Sequence, residues 1–190
     1  MSNRDEKSLA GYVLGRSGVE IFETGGRNTI CSQNFCNFRI PNKLELIARN
    51  DYMIVKQYQF DKWSAVRDGT YISEKDLFKV IGPSSERYLK LSKNKILIAE
   101  DALSITATLD LDKCVPQGGV YFGITKDVNI NIRLLLGLLN SKLLSSIYEI
   151  LFGGMHMGGG YLRYRTNFLE SLPVPKITGE TSITKPIVSL

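Results

Sequence analysis

Short apolar runs typical of strands occupy the middle of the chain, and a helical pattern of apolar residues follows them. Strand composition, rich in β-branched and aromatic residues, marks Asp51–Tyr58, Lys95–Ala99, Ile105–Leu109 and Gly119–Thr125. Turns that are acidic or contain proline and glycine separate the last three runs. Because such turns join neighbouring antiparallel strands, this region predicts an antiparallel sheet.

Helical signals occur at three places. A helix is predicted from Ser73 to Val80, since Ser73 is a capping residue and Gly82-Pro83 stops a helix. A short helix is predicted over Lys43–Arg49 and a long one over Ile132–Phe152, which Asn140-Ser141 divides because both residues favour caps. The apolar stripe of the long helix consists of Ile132, Leu135, Leu136, Leu139, Leu143, Ile147 and Ile150.

These elements predict an α+β fold with a mixed, mainly antiparallel sheet and helices packed on it. We expect residues 1–175 to form one domain, and the Ser- and Thr-rich residues 176–190 to be a tail or linker. Packing on the sheet is the simpler use of the apolar stripe. Docking of a partner helix is the alternative.

Composition narrows the class of protein. Of the 190 residues, 43% are hydrophobic and 23% charged, which argues against a disordered, collagen-like or coiled-coil chain. No apolar run approaches the roughly 18 residues of a membrane span, and residues 1–10 are too polar for a secretory signal. We therefore expect a cytoplasmic protein with no membrane partner. The net charge of +5 is compatible with a polyanionic partner.

Residues that carry chemistry are sparse. The three cysteines, Cys31, Cys36 and Cys114, favour reduced thiols over a metal site, because the single histidine, His156, is far from them in sequence. The sequence has no phosphate-binding loop, dinucleotide fingerprint, zinc-protease motif or serine-hydrolase motif. We therefore expect no catalysis, no metal and no cofactor in this chain.

The most informative segment is Phe152–Leu169, where five glycines fall within eight residues directly after the apolar helix. Glycine is common where the backbone must approach a ligand closely. In an extended segment Arg163 and Arg165 project from one face, which suits contacts with DNA phosphates or guanine edges. A glycine-rich turn with surface arginines explains the pattern equally well. The candidate DNA-binding residues here are His156, Tyr161, Arg163, Tyr164 and Arg165.

A second basic run spans Arg87–Lys95 and contains four cations and no acidic residue. Such runs are often no more than solvated surfaces, which is the simpler interpretation. The run leads directly into a predicted strand, however, so phosphate binding is the functional alternative. Its candidate DNA-binding residues are Arg87, Lys90, Lys93 and Lys95.

A helix, a glycine loop, Tyr-Leu-Arg-x-Arg and Leu-Pro-x-Pro follow one another in this order. In this order of motifs and in several shorter strings, residues 87–175 resemble the TaqI-like C-terminal specificity domain. That domain is the target-recognition module of adenine-specific DNA methyltransferases and of fused restriction–modification enzymes. The matching strings are Lys95-Ile-Leu-Ile-Ala99, Gly119-Val-Tyr-Phe122, Leu138-Leu-Asn-Ser-Lys142, Phe152–Arg165 and Asn167-Phe-Leu-Glu-Ser-Leu-Pro-Val-Pro175.

The resemblance implies a non-catalytic module that recognises a sequence in double-stranded DNA. It also implies a methyltransferase catalytic domain in the parent protein, which would bind S-adenosylmethionine and carry an Asn-Pro-Pro-Tyr motif. This sequence contains no such motif. The expected parent is a type II restriction–modification enzyme that methylates adenine, with or without a fused endonuclease.

Three alternatives stay open at this point. A module like those of type I specificity subunits shares the Leu-Asn-Ser helix and the Leu-Pro-x-Pro ending. A protein-interaction module would use the leucine-rich helix and carry its basic charge incidentally. An enzyme acting through His156 is the weakest alternative, because the sequence offers that histidine no partner.

Overall fold

The described part of the chain folds around a four-stranded antiparallel sheet. A computed structural model describes residues 13–14, 18–22, 52–63, 70–81, 86–126, 130–155 and 157–175. The central sheet has the order β1–β8–β4–β6, in which every neighbouring pair is antiparallel. Its strands are β1 (Val19–Phe22), β4 (Lys95–Ala99), β6 (Ala107–Asp110) and β8 (Val120–Thr125).

The two inner strands form the centre of the core. All five residues of β4 and the first five of β8 are buried, so both faces of the sheet are covered. Runs without alternation, such as Lys-Ile-Leu-Ile-Ala, are typical of strands buried on both faces. Leu97 of β4 lies opposite Phe122 of β8 on one side and Thr108 of β6 on the other.

Two smaller sheets flank the central one. Strands β2 (Tyr52–Val55), β3 (Thr70–Ile72) and β7 (Val115–Pro116) form a sheet in which β2 is the middle strand. The second consists of β5 (Asp101–Ala102) and β9 (Leu162–Arg163). The α-helices of the described residues are α1 (Glu74–Ile81), α2 (Glu86–Leu91), α3 (Ile132–Leu139), α4 (Lys142–Phe152) and α5 (Thr166–Glu170).

A bend between α3 and α4 docks both helices on the edge of the central sheet. Buried Asn140 lies at the bend, accepts a hydrogen bond from the Ala107 N–H and donates one to the Ala107 carbonyl, each at 2.9 Å. Ser141 caps α4 by accepting the Leu144 N–H, and Ser145 accepts the Ile105 N–H. The Leu-Asn-Ser string therefore joins the helix pair to strand β6 and to the residues just before it.

The other edge of the sheet is joined to α5 in a similar way. Oε1 of Glu170 accepts the backbone N–H of Ile21 in β1 at 3.2 Å. Helix α5 packs against β1, so this carboxylate sits where a further strand would otherwise pair.

A buried ion pair connects β4, β6 and the end of α2. Lys95 and Asp110 are both buried, and Lys95 Nζ lies 2.5 Å from Asp110 Oδ2 and 2.8 Å from the Leu91 carbonyl oxygen. The Asp110 carboxylate also accepts the N–H groups of Asp112 and Cys114, each at 2.9 Å. Since these partners satisfy both charges, the pair can lie in the interior. Burial, with nearby Asp110, raises the pKa of the Cys114 thiol far above its usual range.

The structure confirms the predicted α+β fold and most of the predicted elements. Strand Lys95–Ala99 has the predicted ends, and the long helix divides at Asn140-Ser141 with a bend of 58°. Ser73 accepts the Asp76 N–H at 3.2 Å and so caps α1 as predicted.

Three predicted elements differ from the structure or lie beyond it. The strand predicted over Ile105–Leu109 starts at Ala107, because the Ile105 N–H is taken by Ser145. The strand predicted over Asp51–Tyr58 ends at Val55, since residues 57–59 turn into a 3-10 helix. The helix predicted over Lys43–Arg49 lies outside the described residues.

No single helix of the described residues is long and apolar enough to span a membrane. The helices α3 and α4 satisfy that test only when they are taken together across their bend.

We predict that Asn140→Ala strongly destabilises the protein. The substitution leaves the N–H and carbonyl of Ala107 without partners in a buried position, and each unsatisfied group costs about 1–3 kcal/mol. The free energy of unfolding, measured by urea denaturation, should fall accordingly.

Ser146→Ala is the matched control, because Ser146 is exposed on α4. Exposed substitutions of this kind change the free energy of unfolding by about 0.5 kcal/mol or less. Equal urea midpoints for the two variants would refute the role given to Asn140.

Candidate nucleic-acid interface

The glycine loop leaves the end of α4 as two short 3-10 turns, at Gly153–Met155 and Gly158–Gly160. The loop is closed by a hydrogen bond from the Met157 N–H to the Tyr161 carbonyl at 2.7 Å. Gly159 and Gly160 have φ angles of 78° and 79°, which residues with a side chain rarely adopt. Residues 157–161 are exposed, so the loop presents its backbone to solvent.

Residues 161–165 form an extended segment whose side chains alternate in direction. Leu162 and Tyr164 are buried, whereas Tyr161, Arg163 and Arg165 are partly or largely exposed. Strand β9 within this segment pairs with β5, and the Tyr164 N–H donates to the Glu100 carbonyl at 2.7 Å. The predicted common direction of Arg163 and Arg165 therefore holds.

The hydroxyl of Tyr148 on α4 fixes the backbone of this segment. It donates to the Arg163 carbonyl at 3.0 Å and accepts the Arg165 N–H at 3.2 Å. Desolvation by burial raises the pKa of Tyr148, so the hydroxyl keeps the proton that it donates. The position of the two arginines is therefore determined by a residue about one turn before the glycine loop.

Four aromatic rings support the same segment from within. Tyr148 packs against Tyr164 with ring centroids 4.6 Å apart and against Phe152 at 5.1 Å. Phe152 in turn stacks on Phe168 of α5 at 4.5 Å. The segment is thus held by ring packing on its inner side and by backbone hydrogen bonds along its length.

Arg163 is held by acidic residues that follow β4. Its Nε lies 2.9 Å from Asp101 Oδ1, its Nη2 lies 3.1 Å from Asp101 Oδ2, and Glu100 is 3.8 Å away. The hydrogen-bonded Asp101 carboxylate raises the pKa of Arg163. This pairing orients the planar guanidinium and leaves its remaining N–H donors for other partners.

Arg165 is placed differently. It precedes α5 in an extended conformation, its side chain does not cap the helix, and it is partly exposed. Arg165 does not take part in the ion pairs found among the described residues. Of the two arginines, Arg165 is therefore the one whose charge is not neutralised by a carboxylate in this part of the chain.

The prediction of DNA contact is wrong for two residues, because both are buried. Tyr164 is fully buried against Tyr148 of α4, and desolvation raises the pKa of its hydroxyl. Lys95 is also fully buried and forms the ion pair with Asp110. Neither side chain reaches the surface, so neither can contact DNA in this fold. His156 lies outside the described residues.

The cations of the basic run Arg87–Lys95 lie on three different elements. Lys90 on α2 lies 3.6 Å from Glu20 Oε2 and 4.2 Å from the centre of the Phe22 ring, while Lys93 is exposed in the turn before β4. Arg87 lies on α2, and only its backbone is described by the structure. Lys90, Lys93 and Lys95 thus lie on a helix, in a turn and in a strand, and DNA binding by Arg87, Lys90 and Lys93 stays a prediction.

The fold also separates the two predicted basic groups. Lys93 comes just before β4, whereas Asp101, the partner of Arg163, comes just after it. Five residues of strand put about 17 Å between these ends. The glycine-loop segment and the α2–β4 turn therefore lie at opposite ends of the central sheet.

A groove beside Tyr161 was not found by the sequence analysis. It has a volume of about 760 Å³ and lies between residues 57–62 and residues 99–106, with Tyr161 completing its wall. Tyr58 and Leu103 line it, and their side chains are 75% and 65% exposed. Tyr58 ends a predicted strand, and the turn that exposes it has no distinctive sequence pattern.

No group of three or more His, Cys, Asp or Glu side chains within the described residues is arranged to hold a metal ion.

We predict that Tyr148→Phe loosens residues 163–165 while the aromatic cluster stays packed. The substitution removes only the hydroxyl that two backbone groups use, so the free energy of unfolding should fall by about 1–3 kcal/mol. Amide hydrogen exchange at Arg165 should be faster than in the wild type, which would show that the lost stability comes from this segment.

Tyr161→Phe is the matched control, because the Tyr161 side chain is 44% exposed. It should leave both measurements near their wild-type values. A Tyr148→Phe variant that exchanges the Arg165 amide at the wild-type rate would contradict the role of this hydroxyl.

No curated protein matches the chain. A family model described as the TaqI-like C-terminal specificity domain matches residues 30–174, which is about three quarters of the chain. The match begins well before residue 87 and ends at the Leu-Pro-x-Pro string, so it includes the groove, the glycine loop and the arginine segment. The chain therefore belongs to the TaqI-like C-terminal specificity domain family.

Proposed function

We propose that this chain recognises a specific sequence in double-stranded DNA for a type II restriction–modification enzyme. As a member of its family it is a specificity module of a DNA methyltransferase. In this proposal the module does no chemistry, and a cytoplasmic parent protein supplies an S-adenosylmethionine-dependent domain that methylates adenine.

One observation supports DNA contact most directly, namely the arrangement of Tyr161, Arg163 and Arg165. They project from one side of an extended segment whose backbone is fixed by Tyr148 and by β5. A fixed backbone reduces the conformational entropy that is lost when the side chains bind. An aromatic ring and two guanidiniums are suited to phosphate and base-edge contacts.

The glycine loop strengthens this interpretation. An added Cβ at Gly154 or at Gly158 would have no neighbour within 4 Å, so packing within the described structure does not require glycine there. Gly158–Gly160 therefore offer an exposed backbone surface without side chains next to Tyr161, which suits close approach to a DNA strand.

The choice of type II over type I follows the family that the chain matches, the TaqI-like C-terminal specificity domain. That domain resembles the recognition modules of type I specificity subunits in its Leu-Asn-Ser helix and its Leu-Pro-x-Pro ending. The two classes share the mode of DNA recognition and differ in how their modules are assembled.

A protein-interaction module is the second candidate, and one observation favours it. The apolar side chains of Leu143, Ile150 and Leu151 on α4 are 69%, 82% and 57% exposed. Three exposed apolar residues on one helix are typical of a surface that contacts another protein domain. Salt-dependent binding of DNA distinguishes the candidates, because an apolar contact depends little on salt.

We predict that Arg165→Ala weakens DNA binding and leaves the unfolding temperature nearly unchanged. Loss of a phosphate contact should flatten the plot of log affinity against log salt by about one unit on any sequence. Loss of a bidentate guanine contact should instead cost about 1–3 kcal/mol on the cognate site. Binding is measured on cognate and scrambled duplexes at several salt concentrations.

Arg133→Ala is the control, because Arg133 is an exposed arginine on α3, away from the segment. It should bind DNA as the wild type does. If Arg165→Ala also binds both duplexes with wild-type affinity at every salt concentration, this arginine does not contact DNA.

We also predict that the chain alone transfers no methyl group. The expected catalytic motif is absent from the sequence, so labelled S-adenosylmethionine incubated with the chain and mixed duplex DNA should leave the DNA unlabelled. Measurable transfer that persists after repurification would show that the chain is itself an enzyme.

A further inference from the structure

Asp101 and Arg163 face each other across the two-stranded sheet of β5 and β9. They are direct partners in its register, so their side chains lie on the same face. Nε of Arg163 lies 2.9 Å from Asp101 Oδ1, and Nη2 lies 3.1 Å from Asp101 Oδ2. Two parallel hydrogen bonds of this kind fix the plane of the guanidinium as well as its position.

The backbone of both partners is fixed as well. The side-chain amide of Gln57 donates to the Asp101 carbonyl, and its oxygen accepts the Asp101 N–H at 3.4 Å. The Tyr148 hydroxyl donates to the Arg163 carbonyl at 3.0 Å. Because neither strand has to become ordered when a ligand arrives, the ion pair is preorganised for binding.

The ion pair uses only one edge of the Arg163 guanidinium. Arginine has five N–H donors in a planar fork, in which Nε with Nη2 forms one edge and Nη1 with Nη2 forms the other. Asp101 occupies the first edge, and the described residues do not use the three donors that remain. The Arg163 side chain is 35% exposed. The described structure therefore leaves an oriented pair of parallel donors for a ligand with two adjacent acceptors.

The charges around Arg163 favour a base edge over a phosphate as this ligand. Asp101 neutralises the guanidinium, and Glu100 Oε1 lies 3.8 Å from its Nε. A phosphate on the second edge would therefore meet one positive charge and two negative charges among the described residues. Guanine presents O6 and N7 side by side as uncharged acceptors, which match two parallel donors, whereas adenine presents one acceptor and one donor.

We propose that Arg163 recognises a guanine in the major groove through Nη1 and Nη2, and that Asp101 is the positioning residue that orients it. This inference rests on the proposed function and specifies how the same module recognises one base. It separates Arg163 from an arginine that binds the DNA backbone, because a backbone contact carries no direct information on sequence.

The test begins with selection from duplexes that have a randomised central region. The full wild-type chain should enrich a motif with at least one required G·C pair. Arg163→Lys should lose preference for that pair by about 5- to 150-fold in relative affinity, because lysine has no planar fork. It should keep the wild-type salt dependence, since the charge is kept. Asp101→Asn keeps the shape of the side chain without its charge and should relax preference at the same pair.

Replacement of the required guanine by 7-deazaguanine tests the contact itself, because it removes the N7 acceptor. It should weaken binding of the wild type and leave binding of Arg163→Lys and Asp101→Asn nearly unchanged. A purely structural loss in either variant would lower affinity for every duplex alike and would keep the 7-deazaguanine penalty. A wild-type chain that tolerates 7-deazaguanine at every required position would overturn the proposal, whatever the variants do.

Asp76→Asn is the matched control, because Asp76 also loses an ion pair, with Lys79 at 2.8 Å on α1. It should enrich the wild-type motif. Unchanged preference in Asp101→Asn would overturn the positioning role of Asp101. If Arg163→Lys also enriches the wild-type motif, Arg163 does not recognise a base, and the proposed function stands without it. If the wild-type chain enriches no motif, the proposed function itself fails.

Discussion

The two hydrogen bonds between the Asn140 amide and the backbone of Ala107 determine where much of this module lies. They fix the bend between α3 and α4 on the edge of the central sheet, and α4 then carries Tyr148 to the backbone of residues 163–165. The main-chain carbonyl of Asn140 accepts a hydrogen bond from Lys62, which lines the groove. Asn140 thus connects the helix pair, the arginine segment and the wall of the groove.

Local patterns in the sequence were enough to predict features that depend on neighbouring residues. The alternation of side chains in an extended segment correctly predicted that Arg163 and Arg165 lie on one side. The polar Asn140-Ser141 pair correctly predicted the point at which the long helix divides. These features follow from backbone geometry and capping, which act over a few residues. Tyr164 was predicted to bind DNA, but it is buried, because the same alternation that exposes the two arginines turns its side chain inward.

Features that depend on distant residues were not predictable in this way. Lys95 belongs to a basic run, and its ion pair with Asp110, which lies directly opposite on the neighbouring strand β6, explains why a lysine is buried there. The groove likewise depends on Lys62, Leu103 and Tyr161, which are far apart in sequence. Charge runs and exposed aromatic residues indicate a partner, but tertiary contacts decide which of them face it.

The helices that follow β8 also protect the central sheet from other chains. Strands β1 and β6 are its edges, and each has a backbone N–H taken by a side chain, from Glu170 on one edge and Asn140 on the other. Edge strands with free backbone groups invite pairing with strands of other molecules and lead to aggregation. At Ile21 and at Ala107 these side chains take the backbone groups that a strand from another molecule would use. Both edges are therefore less open to intermolecular strand pairing, and the same residues that place α5 and the helix pair also limit aggregation.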